Sequence, residues 1–352
     1  MAAPTGVEYT DELVRKYGVT KNFPPQDEDE QDVQVSSIAF HEKGEVCVTS
    51  RNDGVLSVIN CLSGMITKTI FTKRYGVDLV KFTHHPDCII FSSLNDANDH
   101  RIRYHSLYDN KFLRYYSGHT AKVMSLMMHP TDDRFMSAAL DGTIRLWDVR
   151  CADTTALIRT DHMPVTNVCA SYDQEGVVFA VYTDDYLVRM YDARNYQEGP
   201  FAKFSLYDTS ILSVVEPYLA QIRAPNLNAR KMHALDLNFS PDGNQLLVTT
   251  NRGVFLQLDA FEGNLLHMLN KNAAPQRPDV RLGASYTADG AYVATGSDDG
   301  TIVVYRAATG EHMHTFPRSH HGPVVDVKWN PQRHLMGSVG GNSAVLWTPG
   351  AV

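Results

Sequence analysis

His119, Ser137 and Asp141 place an imidazole, a hydroxyl and a carboxylate in one short stretch of a 352-residue chain. These are the groups of a hydrolytic triad, in which a histidine takes the proton of an exposed serine and an acid orients the histidine. The stretch that holds them, "SGHTAKVMSLMMHPTDDRFMSAALDGTIRLWDVR" from Ser117 to Arg150, has no Gly-x-Ser-x-Gly elbow around Ser137. A second candidate is "EHMHTFPRSHH", Glu311 to His321, whose imidazoles are of the type that binds zinc. No His-Glu-x-x-His, phosphate-binding loop or dinucleotide fingerprint accompanies it. Cys47, Cys61, Cys88, Cys151 and Cys169 are scattered without a Cys-x-x-Cys pair, which suits reduced thiols better than a disulfide frame or a zinc site. The expectation is a chain with no catalytic residues, no cofactor and no metal.

The elements that must position these groups explain them better than catalysis does. Turn signals recur as "HEKG" at His41, "HHPD" at His84, "HPTDD" at His129, "DQEG" at Asp173, "SPDG" at Ser240, "TADG" at Thr287 and "NPQR" at Asn330. Each lies between two alternating runs such as "VSSIAF" and "VCVTS", and a strand, turn, strand unit therefore repeats seven times at roughly 43 to 47 residues. A second turn, "NDG" at Asn52, "LDG" at Leu140, "DDY" at Asp184, "NRG" at Asn251 or "DDG" at Asp298, leads to a third strand such as "TIRLWD". A fourth, less regular run completes each unit. Seven four-stranded units predict an all-β fold, a seven-bladed β-propeller, and the Gly-His to Trp-Asp interval marks its WD-repeat version.

By offset, His119, Ser137, Asp141 and Trp147 then fall where WD blades hold a buried hydrogen-bond network. The last unit repeats it as His321, Ser338, Asn342 and Trp347, with worn copies at Thr49 and Asp53 and at Thr295, Asp299 and Tyr305. A buried polar group must be bonded or it costs several kcal/mol, so this trio reads as a brace.

The seventh unit ends at "AVLWTPGAV" after its third strand, and "ELVRKYGVTKNF", Glu12 to Phe23, is left to supply the fourth and close one domain spanning residues 1–352. Residues 24–32, "PPQDEDEQD", form an acidic linker. Residues 207–231 are an insertion between blades four and five, because the turn-to-turn distance there stretches to about 67 residues. Its core, "TSILSVVEPYLAQIRAPNLNARK", carries Ile211, Leu212, Val214, Val215, Tyr218, Leu219 and Ile222, which must pack on the ring or on a partner.

Net charge is −8, which opposes direct attachment to nucleic acid, and no apolar run reaches the ~20 residues that span a bilayer. The first residues lack the basic and apolar regions of a secretory signal, so the expectation is a cytosolic or nuclear protein without membrane or sequence-specific nucleic-acid contacts.

Beyond the WD pattern, "YDNKFLRYYSGH" running into "DDRFMSAALDGTIRLWDVR", then "GPFAKFSLYD", "DAFEGNLLHML" and "NPQRHLMGSVGGNSAVLW", resembles one family from about Glu12 to Trp347. It is the WD-repeat subunit shared by COMPASS, the histone lysine methyltransferase complex, and by the nuclear mRNA cleavage and polyadenylation machinery. The insertion and the acidic linker depart from that family's pattern.

The resemblance implies a nuclear, non-catalytic scaffold for lysine-4 methylation of histones. It would hold a segment of the methyltransferase's N-terminal region beside other COMPASS subunits, and would join cleavage and polyadenylation factor subunits in 3′-end processing and transcription termination. Partner residues expected by offset on the upper face are Asp78, Lys122, Met124, Leu140, Thr166, Asp184, Leu235 and Asp298, with Tyr218 and Leu219 in the insertion. Met124, Leu140 and Leu235 would be apolar anchors, and the aspartates would receive Arg or Lys. Two other functions compete. "WDVR" at Trp147 and "YDAR" at Tyr191 resemble the signature of cullin-RING ubiquitin ligase substrate receptors, and a propeller hydrolase would need a metal or activated nucleophile in the central channel.

Overall fold

Each alternating run becomes a strand, and its burial shows its place in the ring. In the third unit Arg134–Ala139 is buried along nearly its whole length, whereas Thr154–Arg159 alternates between half-buried and exposed. Inner strands are covered on both faces by neighbouring sheets; the outermost strand has one side in water. The computed structural model describes residues 6–24, 33–72, 76–94, 99–160, 165–220, 231–269 and 280–350. Among these, seven sheets of four antiparallel strands form a β-propeller, and the core lies between blades. Val48 and Leu56 of blade one, for example, share a cluster with Val80 and Phe91 of blade two.

Ring closure follows the expected route with a shorter strand. Tyr17–Phe23 pairs antiparallel with Ser343–Pro349, from Tyr17 opposite Pro349 to Phe23 opposite Ala344. The residues before it differ from the expected strand: Asp11–Arg15, α1, is a helical turn capped by Thr10. The cap satisfies a backbone N–H at the helix start. Its Asp11 accepts hydrogen bonds from Tyr292 at 2.5 Å and Arg306 at 2.6 Å, which ties the segment to blade six. Tyr9 and Tyr17 both set their rings edge-on to Trp329, with centroids 5.1 and 5.3 Å away.

The turn residues that announced the repeat also stitch blades together. His41 Nε2 faces the His84 carbonyl at 3.5 Å, His84 Nε2 faces the His129 carbonyl at 3.0 Å, and His129 Nε2 faces the Gly176 carbonyl at 3.1 Å. Asn330 Nδ2 donates to the Gly44 carbonyl at 2.9 Å and carries the pattern from blade seven to blade one.

In the insertion, Thr209–Leu219 is a helix, α2, capped by Asp208, which accepts the Ser210 N–H at 2.9 Å. Ile211, Val215, Tyr218 and Leu219 recur at helical spacing and are buried against Met232, Val254 and Met268 of the ring. Residues 25–32 of the acidic linker and 221–230 of the insertion, Ile222 included, lie outside the described residues. No helix among the described residues is long and apolar enough to cross a membrane.

Candidate functional site

The Ser, His and Asp of blade three are wired as in a hydrolase and placed as in a brace. His119 Nδ1 lies 2.9 Å from Asp141 Oδ2, and its Nε2 lies 2.7 Å from Ser137 Oγ. Trp147 Nε1 donates to the same Ser137 oxygen at 2.8 Å. Asp141 also accepts the Thr120 N–H at 2.9 Å and the Thr143 hydroxyl at 2.6 Å. Burial alone would raise the Asp141 pKa; the hydrogen bonds from His119, Thr143 and Thr120 outweigh it and hold the carboxyl well below the usual range. Ser137 is fully buried, with its oxygen shared between a ring nitrogen and an indole, so no substrate carbonyl can reach it.

Blade seven carries the same device with two residues corrected. The imidazole in the network is that of His320: Nε2 is 2.8 Å from Ser338 Oγ, and Nδ1 is 3.1 Å from Ser343 Oγ. His321 is exposed. The separation from histidine to serine is 18 residues in both blades, which selects His320 over His321. Asn342 is displaced because the hairpin is one residue shorter: Gly340 pairs with Ser343, whereas Ala139 pairs with Thr143. Ser343 therefore stands where blade three has Thr143, and Trp347 donates to Ser338 at 2.8 Å. Ser343→Ala is expected to cost about 1–2 kcal/mol by removing the hydroxyl that meets the buried Nδ1, while Asn342→Ala should stay within about 0.5 kcal/mol. Urea unfolding of the two variants separates these values; equal costs would put the network elsewhere.

Burial outweighs the opposing hydrogen bond with the Gly340 backbone and lowers the His320 pKa from 6.5 to about 4. The folded ring stays neutral while an unfolded one takes up a proton below pH 6.5. This contribution to stability is therefore fully present above pH 6.5 and is lost as pH falls toward 4, on the order of 3 kcal/mol in all. His41 and His129 are shifted downward by burial in the same sense. Melting temperature should fall across that window, and more gently in His320→Gln; identical slopes for the two proteins would refute the assignment to His320.

In blades one and six the worn copies make no such chain. Asp53 pairs with Arg51 at 2.7 Å, and Asp299 accepts from Thr301 at 2.7 Å. His312 and His314 lie on the outer strand His312–Phe316, with His312 bonded to Thr315 at 2.8 Å. Among the described residues no group of three or more His, Cys, Asp or Glu is placed to hold a metal ion.

The expected partner residues divide by what they touch. Asp78 and Lys122 form an ion pair at 3.0 Å across blades two and three. Met124 and Leu140 are half-buried beside Val165 and Val168. Asp184 accepts the backbone N–H groups of Thr166 and, at 3.0 Å, Asn167, so it braces the loop entering blade four. Leu235 and Asp298 are half-buried at their rims. Tyr218 and Leu219 are corrected: 4% and 7% exposed, they pin α2 to the ring and offer no partner surface. Arg150 of the ligase-receptor signature turns back onto Asp148 at 2.7 Å.

The central channel holds charges that strand alternation did not single out. Arg281 approaches Asp236 at 3.4 Å and Lys328 approaches Asp326 at 3.2 Å, with Lys81 beside them around a cavity of about 20 Å³. Enclosure lowers the Lys81 pKa to about 8.

The family model described as "WD domain, G-beta repeat" matches residues 110–148 and 279–306. WD repeat-containing protein 82 of Drosophila melanogaster is 33% identical over 343 residues, covering 97% of this chain and 98% of the relative. The chain belongs to that family. Two further relatives are named as components of complexes. "COMPASS component SWD2" of Saccharomyces cerevisiae is 30% identical over 82% of this chain and 80% of its own length. "Set1 complex component swd2" of Schizosaccharomyces pombe is 30% identical over 78% and 71%.

Proposed function

We propose that this chain is a non-catalytic, nuclear scaffold subunit of a histone lysine methyltransferase complex of the Set1 and COMPASS type. The observation that carries the reading is the similarity, over most of the chain, to components of those complexes in two yeasts. The geometry agrees with it, since the groups best suited to chemistry are consumed by the two buried networks. The scaffold acts by position: a rigid ring presents the half-buried Met124, Leu140 and Leu235 with Asp184 and Asp298 to a basic, partly apolar segment of the methyltransferase. The same ring serves the mRNA 3′-end cleavage and polyadenylation machinery, a role supported by the phrases of sequence shared with that subunit family.

Affinity purification of the tagged chain from nuclear extract, read by mass spectrometry, tests both roles. Recovery of methyltransferase and polyadenylation subunits is the expected result. Recovery of a cullin-RING adaptor in place of both would overturn the proposal.

A further inference from the structure

Five of the hairpins that join second and third strands share one geometry. The N–H of the residue at the turn donates back three positions, from Gly54 to Arg51, Gly142 to Ala139, Tyr186 to Thr183, Gly253 to Thr250 and Gly300 to Ser297. Four of these residues are glycines with φ between 66° and 88°; the fifth is Tyr186 at φ 64°. A bulky residue is strained in this left-handed region, where glycine is not. Among the described residues only Asn110 and Tyr186 are non-glycines with positive φ, and asparagine tolerates it.

Strain of this kind persists where the side chain is needed. Tyr186 is half-buried, and its ring lies 4.5 Å from Tyr207 and 4.9 Å from His233, centroid to centroid. Those two rings flank the two ends of the insertion, which are pinched together by the Met232 N–H donating to the Tyr207 hydroxyl at 2.8 Å. Beside them sits Asp184, with one carboxylate oxygen 3.6 Å from His233 Nδ1. Its two loop N–H bonds leave lone pairs to spare.

We propose that Tyr186, Tyr207 and His233, with Asp184, form a docking platform for a peptide segment of a partner, anchored by an arginine or lysine over the Tyr186 ring. Aromatic faces beside a carboxylate attract a cation, and the chain's charge of −8 favours a basic segment. The inference rests on the scaffold reading that the ring holds partner segments, and it assigns that role to one place.

The test compares wild type with Tyr186→Gly, which removes the ring and relieves the backbone, with Tyr186→Asn, which removes it within a tolerated conformation, and with Tyr186→Phe, which keeps it. Tagged chains are purified from nuclear extract and every co-purifying protein is quantified. Overlapping peptides of the direct partner, each also made with its Arg and Lys neutralised, are then titrated onto the pure protein. The expected result is a melting temperature unchanged or raised in Tyr186→Gly, one partner lost on the order of tenfold in both Gly and Asn variants and retained in Phe, and a peptide whose binding needs its cation. A lowered melting temperature in both ring-free variants would make the ring a packing residue, and undiminished recovery of every partner would remove the docking role. A ring-dependent peptide indifferent to neutralisation would overturn the basic occupant. Whether the wild-type set contains a methyltransferase judges the scaffold reading separately.

Discussion

Deletion of residues 1–23 is expected to abolish the soluble monomer. The segment supplies the outer strand of blade seven, and with it go Tyr9, Val14 and Tyr17, all buried. Their burial contributes roughly 2 kcal/mol each, and the cut also unpairs the strand Ser343–Pro349 along one side. Against a total stability of about 5–15 kcal/mol, losing these together with the Asp11 bonds to blade six leaves little margin. The exposed edge beside Trp347 would also template association. Size-exclusion chromatography and circular dichroism of the truncated chain provide the check. A truncated protein that elutes as a monomer and melts within a few degrees of wild type would show that closure is dispensable.

Ser137→Ala is expected to destabilise the protein by about 2–4 kcal/mol. The substitution removes one oxygen but orphans two buried groups, His119 Nε2 and the Trp147 indole N–H, each worth about 1–3 kcal/mol when left unbonded. Trp147 stacks on Phe135 at 5.9 Å and meets Tyr116 edge-on at 5.7 Å, so the indole cannot turn to find water without disturbing the core. Equilibrium unfolding in urea measures the loss. Combined with Trp147→Phe, the two effects should fall short of additivity, because the second change removes a donor already orphaned by the first. Full additivity would mean that Ser137 and Trp147 do not act as a unit.

Blade three was legible because its His-Ser-Asp-Trp spacing is complete. Blade seven was legible only in part: its Trp347 and Ser338 were found, but adjacent histidines and a shortened hairpin shifted two members by one residue. The 18-residue separation from Ser338 would have selected His320. The helix of the insertion was also written in the sequence, since Ile211, Val215, Tyr218 and Leu219 follow the helical period. Taken as a loop, the same residues looked available to a partner.

The repeat period, the hairpin glycines and the alternation of apolar residues determine this protein by themselves, because strand pairing inside a blade is local and each turn fixes its own register. From these follow seven blades, the networks of blade three and the need for a strand from the N-terminal end. The tertiary structure decided what depends on distant residues meeting. It set Tyr186, Tyr207 and His233 side by side, brought Lys81, Asp236, Arg281, Asp326 and Lys328 into one channel, and bonded His41, His84 and His129 to the next blade's turn. Tyr186 stands where other hairpins have glycine, and His41, His84 and His129 lie in the turn signals themselves, yet no local pattern names the distant groups that each of them meets. Their roles arise only when the ring closes and brings first strands to its axis and loops to its face.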